Sequence, residues 1–396
     1  MKLLFITTKS PLPANDGHSL RSSNLLKQLA KRHEVHLLSF VKFKEEFDYL
    51  DELKQLCGSV RLIKVPENES RLATCTTLMK SVITGRPFVL LKYNSRQMSQ
   101  AIDEMLRSVN FDLIHIDMLP LGVYYDKFFN KKIVLDAHNV ESYLLRRRVE
   151  QEHNPAVKWF FSKQQAGLEC FERSLTQKVD HILACSADDQ AILQKFAPNT
   201  PVSVIPNGVD TAFFYPRDPR KKKNNRLVFI GGLNWYPNKD GLVWFDKEVM
   251  PYIYNKRPDV VVNVIGRKES IKWRHADQMH MLGYVDDIRE FMEEAAVFIV
   301  PLRIGGGTRL KILNAMAMEC PVVSTTIGAE GLGARNGHEI AIADDPKLFA
   351  DTVLKLMEDS EAAENLGKKA RSFITENYDW NLIGVKLNKI YNDLVK

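Results

Sequence analysis

Apolar and polar residues follow two alternating patterns along the chain. Short runs composed almost entirely of Val, Ile, Leu and Phe are separated by longer segments in which apolar residues recur every three or four positions. Nearly continuous apolar runs are typical of strands buried on both faces of a parallel sheet, and the longer spacing is typical of helices that cover such a sheet. The pattern therefore predicts an α/β fold built from doubly wound sheets.

The predicted strands fall into two groups. The first group covers residues 3–7, 35–39, 60–65, 113–116, 133–136, 181–185 and 202–205. The second group covers residues 227–230, 260–265, 279–282, 297–300, 322–325 and 340–343. Between the groups, residues 217–226 are polar, contain Pro and lack periodicity, which predicts a linker.

These patterns predict the domain organisation. Residues 1–216 form a first Rossmann-like domain, residues 217–226 a basic linker, and residues 227–378 a second Rossmann-like domain. Residues 379–396 form a final helix, because their apolar residues recur at helical spacing. In doubly wound folds ligands bind beyond the carboxyl ends of the strands, so we expect functional residues directly after strands.

Composition and cysteine usage restrict the class of protein and its compartment. Hydrophobic residues make up 45% and charged residues 26% of the 396 positions, which is typical of a soluble globular protein and excludes a disordered or fibrous chain. The five cysteines are scattered and never form a C-x-x-C pair, so we expect a reducing, cytoplasmic location without structural disulfides or zinc. We expect neither a signal peptide nor a transmembrane span, because every apolar run is too short.

Charge is distributed unevenly. The net charge is +6, which is too mild for a nucleic-acid-binding protein. Residues 1–216 hold 28 basic and 24 acidic residues, the predicted linker 6 and 1, and residues 227–396 hold 21 and 24. The basic first half suggests contact with anionic lipid, and the mixed basic and apolar segment 70–93 is a candidate for contact with lipid or with a substrate. The alternative for that segment is an ordinary amphipathic helix packed on the core.

A first candidate motif lies between the first strand and its helix, at residues 13–18. Gly17 in this loop would let backbone N–H groups approach an anionic or polar ligand closely. A plain strand-to-helix turn explains one glycine equally well.

A second motif, at residues 136–141, follows the strand 133–136. Asp136, His138 and Asn139 are polar residues at the end of a buried strand, where we expect them to face a ligand. His138 can donate a hydrogen bond or polarise a reacting group near neutral pH. The alternative is that Asn139 and Glu141 cap the next helix and that His138 is merely exposed.

A third motif follows the strand 297–300. It comprises a glycine-rich loop and the first turns of a helix, with the candidate residues Gly305, Gly306, Gly307, Thr308, Arg309, Lys311 and Asn314. Consecutive glycines suit a loop that lies against phosphate, and the helix that Thr308 opens would attract negative charge. Arg309 or Lys311 would neutralise a diphosphate, and Asn314 would bind a ribose hydroxyl. The alternative is a flexible surface loop with solvated cations.

Two further turns follow strands of the second half. Gly232, with Asn234 and Lys239 nearby, is predicted to face phosphate, and Glu330 lies where it could meet a nucleotide. The chain contains no Asp-x-Asp triplet and no His, Asp or Glu cluster at metal-ligand spacing along the sequence. We therefore expect no metal and no other cofactor.

Several of these segments together resemble the GT-B glycosyltransferases of family 4. The resemblance rests on Gly17, on residues 136–141 and on the Ile-Pro-Asn-Gly-Val-Asp stretch that ends at Asp210. It continues through the Leu-Asn-Ala-Met-Ala stretch from Leu313, the Pro-Val-Val that follows it and the Tyr-Asp-Trp before the last helix. These segments span nearly the whole chain in the family's order.

The resemblance implies a fold and an activity. The expected fold is two Rossmann-like domains facing a cleft, with the last helix crossing back to the first domain. The expected activity is retaining transfer of a sugar from a nucleotide-diphosphate donor, held by the second domain, to a saccharide or lipid-linked hydroxyl acceptor held by the first, without an obligatory metal. His138 matches the family's active-site histidine. Synthesis of envelope polysaccharide or glycolipid on the inner face of a membrane is the expected role.

One departure from the family pattern leaves two alternatives. The family typically has two glutamates around the glycine-rich helix, and Gly306 and Asn314 occupy these positions here. As a neutral partner, Asn314 should bind a ribose more weakly than a carboxylate. The alternatives to a transferase are a nucleotide-sugar epimerase of the same fold and a non-catalytic nucleotide-sugar binder.

Overall fold

A computed structural model of the chain describes residues 1–65, 71–218, 221–304 and 310–396. Contacts divide these residues into two compact units. The first unit comprises Met1–Pro206 with Gly384–Lys396, and the second comprises Asn207–Ile383. Among the described residues, no helix combines the length and the apolar character needed to cross a lipid bilayer.

The first unit contains a parallel sheet with helices. In its described part the sheet has the strand order β3-β2-β1-β4-β5-β6-β7. The strands are β1 (Lys2–Thr7), β2 (Glu34–Val41), β3 (Ser59–Lys64), β4 (Leu113–Asp117), β5 (Lys132–Ala137), β6 (His181–Ala184) and β7 (Val202–Val204). The helices are α1 (Gly17–Ala30), α2 (Leu50–Leu56), α3 (Arg71–Thr84), α4 (Phe88–Lys92), α5 (Arg96–Ser108), α6 (Glu141–Gln151), α7 (Pro155–Thr176) and α8 (Ala187–Phe196).

The order of these strands creates a switch point between β1 and β4. β1 pairs in parallel with β2 on one side and with β4 on the other, so the connections after β1 and β4 run in opposite directions along the sheet. All five residues of β4 are buried, as expected for a central strand covered on both faces. Such a switch point leaves a crevice at the carboxyl ends of the strands, where doubly wound folds bind ligands.

The second unit repeats this architecture with a smaller sheet. In its described part the strand order is β10-β9-β8-β11-β12-β13. The strands are β8 (Lys223–Ile230), β9 (Val261–Ile265), β10 (Met279–Gly283), β11 (Ala295–Val300), β12 (Val322–Ser324) and β13 (Ala341–Ile342). The helices are α9 (Tyr236–Trp244), α10 (Met250–Lys256), α11 (Ile288–Glu294), α12 (Leu310–Ala317), α13 (Pro346–Glu358) and α14 (Ser360–Asn377). α15 (Trp380–Val395) begins in this unit and ends in the first.

A close backbone approach holds the ends of β8 and β9 together. Gly266 has a φ of 133°, and a Cβ atom at this position would lie 2.7 Å from the backbone of both Gly231 and Gly232. Glycine is required here because the conformation and the space both exclude a side chain. The turn after β8 is therefore packed directly against the turn after β9.

Every predicted strand is present, with ends shifted by a few residues, but part of the predicted linker is wrong. β8 starts at Lys223, which pairs with Ala295, and Arg226 pairs with Val261. Residues 223–226 are thus strand rather than linker. Their polar sequence reflects the exposed start of the strand, where side chains reach solvent while the backbone is paired.

The final helix confirms the periodicity of the last segment. α15 covers Trp380–Val395, and its residues from Gly384 onward belong to the first unit. Gly384 packs so closely on Gln28 that a Cβ atom there would clash with its side chain. Tyr391 is fully buried, and its hydroxyl lies 2.5 Å from Nδ1 of His115 on β4.

Candidate active site

Two buried carboxylates lie side by side at the carboxyl ends of β4 and β5. Asp117 and Asp136 are register partners on these neighbouring strands, and neither is exposed to solvent. Removing two carboxylates from water is costly unless each is paired and hydrogen-bonded. The surrounding residues therefore determine what this part of the molecule can do.

Arg21 on α1 pairs with Asp136. Its Nε and one terminal nitrogen donate to the two carboxylate oxygens at 2.9 and 2.5 Å, and its other terminal nitrogen donates to the carbonyl of Ile205 at 2.8 Å. Burial alone would raise the pKa of Asp136, but the Arg21 guanidinium and the neighbouring His138 hold that pKa well below its usual range. Asp136 is therefore an ionised, fully paired group.

His138 and Ser22 hold Asp117. Nε2 of His138 lies 2.6 Å from one oxygen of Asp117 and 3.3 Å from Asp136, and the Ser22 hydroxyl donates to the other oxygen of Asp117 at 2.7 Å. Burial would lower the pKa of His138, but Asp117 and Asp136 raise it to about 9. Burial likewise opposes ionisation of Asp117, yet His138 keeps the pKa of Asp117 well below its usual value. At neutral pH the site holds an imidazolium against a carboxylate.

His18 completes the cluster from the first turn of α1. Its Nε2 lies 3.3 Å from Asp117 and 3.4 Å from the Thr7 hydroxyl, and its ring meets that of His138 edge-on at 4.9 Å. Sequence patterns alone did not identify His18, Arg21 and Asp117 as candidate site residues. The available signal was the helical spacing of His18, Arg21 and Ser22, which places three polar residues on one face of α1.

The fold brings together a group of possible metal ligands that spacing along the chain did not predict. His18, Asp117 and His138 offer ligand atoms within 4.8 Å of one another, as do His115, Asp117 and Asp136. However, Arg21 and protonated His138 already balance the charges of the two carboxylates. The distance between His138 and Asp117 is that of a hydrogen bond, so a cation would have to displace the histidine proton. These residues therefore fit a metal ion poorly.

The start of α6 shows that the capping alternative is wrong. The backbone N–H groups of Glu141 and Ser142 donate to the carboxylate of Glu172 on α7, at 2.9 and 3.1 Å. The helix is thus capped from another element, and Asn139 is half-buried beside it. The side chain of His138 is only 8% exposed, so it is not a surface histidine.

Glu141 titrates near neutral pH at the edge of this cluster. Burial and the negative charge of Glu172 raise the pKa of Glu141 to about 7, although His138 and His18 act in the opposite direction. A carboxyl group that changes protonation near the working pH is a candidate proton donor or acceptor. From the sequence, Glu141 was only the last residue of the motif 136–141 and a possible helix cap.

Gly17 is the first residue of α1. The carboxylate of the preceding residue, Asp16, already caps the N-terminus of this helix. The side chain of Asp16 accepts from the backbone N–H of Ser19 at 2.9 Å and pairs with Lys9 at 2.5 Å. Burial would raise the pKa of Asp16, but Lys9 and Ser19 lower it to about 2. Asp16 thus places a negative charge where a bound anion would meet the helix.

In the second unit, one asparagine connects two predicted donor-binding residues. The Asn238 amide donates to the carbonyl of Gly232 at 3.0 Å, and Lys311 on α12 donates to the amide oxygen of Asn238 at 3.1 Å. The Lys311 ammonium group also lies 4.0 Å from the centre of the Phe229 ring. These contacts bring the turn after β8 and the start of α12 together, on either side of the switch between β8 and β11.

The other predicted donor-binding residues are more dispersed. Lys239 pairs with Glu269 at 2.8 Å, Asn234 is exposed, Glu330 lies half-buried in the turn after β12, and Asn314 is half-buried on α12. Gly305, Gly306, Gly307, Thr308 and Arg309 lie outside the described residues. The structure therefore does not test their predicted contact with phosphate.

A basic cavity in the first unit was not singled out by the sequence analysis. It has a volume of about 330 Å³ and lies at the carboxyl ends of β2 and β3, the same edge of the sheet that carries the two buried carboxylates. Its lining consists of Val41, Lys42, Phe43, Lys44, Phe47, Lys64 and Val65. Three lysines and two aromatic rings suit an anionic ligand with an apolar portion.

Comparisons of the sequence with known families and proteins agree with this arrangement. A family model described as Glycosyltransferase Family 4 matches residues 16–213, and one described as Glycosyl transferases group 1 matches residues 224–359. An uncharacterized 44.6 kDa protein in the cps region of Klebsiella pneumoniae is 24% identical, with 96% of each chain covered. A UDP-Gal:alpha-D-GlcNAc-diphosphoundecaprenol alpha-1,3-galactosyltransferase of Escherichia coli is 24% identical, with 74% of this chain and 78% of that protein covered.

Solved structures show the same fold at low sequence identity. HepE from Anabaena, solved in complex with UDP, matches with a TM-score of 0.71 at 14% identity, covering 99% of this chain and 100% of that one. A sucrose-phosphate synthase from Thermosynechococcus elongatus matches with a TM-score of 0.70 at 15% identity, covering 100% and 99% of the two chains. Since the family 4 model spans half of the chain, and the group 1 model follows it, the chain belongs to glycosyltransferase family 4 and has the GT-B fold.

Proposed function

We propose that the protein transfers a sugar from a nucleotide-diphosphate donor to a hydroxyl group of a saccharide or lipid-linked acceptor, with retention of configuration. Envelope polysaccharide or glycolipid synthesis is the role we propose for this reaction. The observation that carries the proposal is the buried, charge-balanced group of Asp117, His138, Asp136 and Arg21 at the switch point of the first sheet. Ion pairs of this kind are a poor source of stability, which favours a functional reason for them.

His138 is the residue that we expect to contact the transferred sugar. Its Nε2 is held by Asp117, which fixes the ring and leaves Nδ1 without a hydrogen-bond partner among the described residues. A protonated imidazole donates from that nitrogen to a sugar hydroxyl or to an oxygen that gains charge in the transition state. Asp117 is then a positioning residue, since it acts through His138.

The chemistry requires one bond to break and one to form at the same carbon. The bond between the anomeric carbon and the diphosphate oxygen breaks, and the acceptor oxygen bonds to that carbon on the same face. The proton of the acceptor hydroxyl leaves with the diphosphate. Negative charge grows on the departing diphosphate, and we expect Lys311 to stabilise it. The contacts of Lys311 with Asn238, and of Asn238 with Gly232, support this role.

Relatives support the substrate classes. HepE was solved in complex with UDP, and the Escherichia coli relative is named for UDP-Gal as donor and a diphosphoundecaprenol-linked sugar as acceptor. The basic cavity at the ends of β2 and β3 would suit a phosphate-bearing acceptor of this kind. A lipid-linked acceptor would bring the protein to the inner face of a membrane, so we propose a cytoplasmic protein with peripheral membrane contact.

We propose that the reaction needs no metal ion or other cofactor. Arg21 and His138 neutralise the two buried carboxylates of the first unit, and Lys311 supplies positive charge on the donor side. Turnover unaffected by a chelator would agree with this proposal. Recovery of a chelated, inactive enzyme on addition of Mg²⁺ or Mn²⁺ would contradict it.

A non-catalytic nucleotide-sugar binder is the second candidate. It is favoured by Asn314, a neutral residue where the family typically has a glutamate. Calorimetry and product analysis across UDP-, GDP- and dTDP-sugars separate the candidates. A transferase binds one donor and forms product from it. A non-catalytic binder gives a heat of binding without product, and its Asn314→Glu variant gains activity. The absence of both binding and turnover with every donor would contradict both candidates.

A further inference from the structure

A second cavity lies in the second unit, beside the last strand of its sheet. It has a volume of about 450 Å³, which is within the range of small-molecule sites, and it is formed by β13, α13, α14 and the loop before β13. We call it the β13 cavity. None of its described lining residues belongs to the predicted donor-binding set, and β12 lies between β13 and β11, the strand that precedes the glycine-rich loop. The β13 cavity is therefore distinct from the candidate donor site.

Two helices each present one face to the β13 cavity. The lining residues of α13 include Leu348, Thr352 and Lys355, and those of α14 include Ala362, Asn365 and Lys369. On both helices these residues recur every three or four positions, which is the spacing of neighbours on one helix face. The walls of the cavity are therefore regular elements, and the fold itself fixes their shape.

The floor of the β13 cavity is apolar. Leu356 and Leu366 are buried in the core of the unit, and Ala341 and Ile342 of β13 pack against that core. At the rim, Leu348 is 54% exposed. An apolar floor with a large exposed apolar side chain at its rim suits a ligand that has an apolar portion.

The charged side chains at the rim are positive. Lys355 is exposed and Lys369 is half-buried, and neither forms an ion pair within the described part of the chain. Among the described residues, no Asp or Glu lines the cavity. His338 at the rim contacts Glu339, but the carboxylate of Glu339 is also neutralised by Arg335. Two lysines without carboxylate partners suit the negatively charged group of a ligand.

The open edge of β13 is closed to the addition of a further strand. The backbone N–H of Ile342 donates to the Asn336 side chain at 2.8 Å, and the backbone N–H of Gly337 donates to the Ile340 carbonyl at 2.8 Å. These groups of β13 and of the loop before it are therefore not free to pair with an extended peptide. A small molecule fits the cavity better than a peptide strand.

We propose that the β13 cavity binds a small anionic molecule with an apolar portion, at a site separate from those of donor and acceptor. Lys355 and Lys369 contact the anionic group, and Ile342 and Leu348 contact the apolar portion. A phosphate, a sulfonate or a carboxylate supplies the charge. The proposal goes beyond the proposed function, because the transfer of a sugar does not require this cavity.

Fluorescence titration of the full chain with 8-anilinonaphthalene-1-sulfonate tests the proposal, because this probe joins a sulfonate to an apolar aromatic body. N-phenyl-1-naphthylamine has the same body without the sulfonate. We expect the charged probe to bind about tenfold more tightly than the neutral one. Since each partly exposed charge contributes about threefold, Lys355→Ser with Lys369→Ser should weaken the charged probe by about tenfold and leave the neutral probe unchanged.

Matched controls lie on the same two helices. Lys347 and Lys368 are exposed, pair with acidic side chains and do not line the cavity. Lys347→Ser with Lys368→Ser removes the same charge and should leave the affinity for both probes unchanged. Leu348→Ser should instead weaken both probes by the same factor, about threefold, because it removes an apolar contact without changing the charge.

Brief acetylation followed by mass spectrometry shows where the charged probe binds. The probe should protect Lys355 and Lys369 from modification and leave Lys347 and Lys368 unprotected. Protection of Lys44 alone, in the basic cavity of the first unit, would overturn the proposal. So would equal affinities of the two probes, or equal losses of affinity in the lysine variants of the cavity and in their controls.

Donor binding by calorimetry tests whether the site is separate. Lys355→Ser with Lys369→Ser should bind the donor as the wild type does, because neither lysine belongs to the predicted donor-binding set. A loss of donor affinity in this variant would overturn the assignment of a separate site. Binding of the charged probe by a chain that transfers no sugar would support the β13 cavity and contradict only the proposed function.

Discussion

At the scale of single residues, the site depends on which groups carry protons. His138 lies between Asp117 and Asp136 and is protonated at neutral pH, because their charges raise its pKa to about 9 despite burial. For Glu141 the neutral form is favoured instead, since burial and the charge of Glu172 raise its pKa to about 7. His138 therefore keeps its positive charge near neutral pH, whereas Glu141 gains or loses a proton there.

Replacing Glu141 with Gln should stabilise the protein above pH 7. The pKa of Glu141 is raised in the folded chain, so its favourable effect on folding is present below about pH 4.5 and is lost as the pH rises through 7. The loss amounts to at most about 3 kcal/mol, which Glu141→Gln avoids. Thermal unfolding should show a higher Tm for the variant at pH 8.5.

The comparison at acid pH provides the internal control for this variant. At pH 4 the carboxyl group is neutral in the folded chain and mostly neutral in the unfolded chain, so the wild type and Glu141→Gln should unfold at nearly the same temperature. Glu150→Gln, on the exposed side of the same helix, should change neither value. A Glu141→Gln variant that is less stable at pH 8.5 would show that the carboxylate is the favoured form.

At the scale of secondary-structure elements, α15 is tied to the centre of the first sheet. Tyr391 is fully buried, and its hydroxyl meets Nδ1 of His115, which is itself buried on β4 two residues before Asp117. The contact connects the last helix of the chain to the strand that carries a carboxylate of the site. The periodicity of the last segment predicted the helix but could not reveal this bond.

Tyr391→Phe should destabilise the protein by about 1–3 kcal/mol, because it leaves a buried imidazole nitrogen without a partner. Denaturant unfolding measures this difference. Tyr125→Phe is the matched control, since it removes an exposed hydroxyl that donates to the Lys178 carbonyl, and it should cost less than about 0.5 kcal/mol. Equal effects in the two variants would show that the buried bond contributes nothing special.

The basic cavity at the ends of β2 and β3 is also tested at this scale. Lys44→Ala should raise KM for a phosphate-bearing acceptor about tenfold, since it removes one charged contact, while kcat and the KM for the donor stay within about twofold. Lys54→Ala, which removes an exposed lysine paired with Asp51, serves as the control. If Lys44→Ala lowers kcat without changing the KM for the acceptor, the cavity is not part of the acceptor site.

At the scale of the whole molecule, the sequence predicted the strands and helices well but only some of the residues that the structure brings together in the candidate site. Buried parallel strands consist of local apolar runs, so all of them were predictable, except for the polar start of β8 at Lys223. Residues 136–141 could be proposed as a candidate site because they lie at the end of a strand. Arg21 and Asp117 were not, because their roles come from contacts between distant parts of the chain.

The distribution of charge could also be predicted only where it depends on neighbouring positions in the sequence. The excess of basic residues in the first half and in the linker could be counted along the chain. That α3 and α7 touch follows only from the contact between Ser81 and Gln164.

The most direct test of the proposed transferase compares wild type with His138→Gln in one assay of sugar transfer to acceptor, using the donor that calorimetry identifies. The variant retains a neutral polar side chain but cannot supply the imidazolium that Asp117 holds in place. We predict that kcat falls by about 10²–10⁴-fold while donor affinity stays within about threefold. Unchanged transfer by His138→Gln would contradict the account.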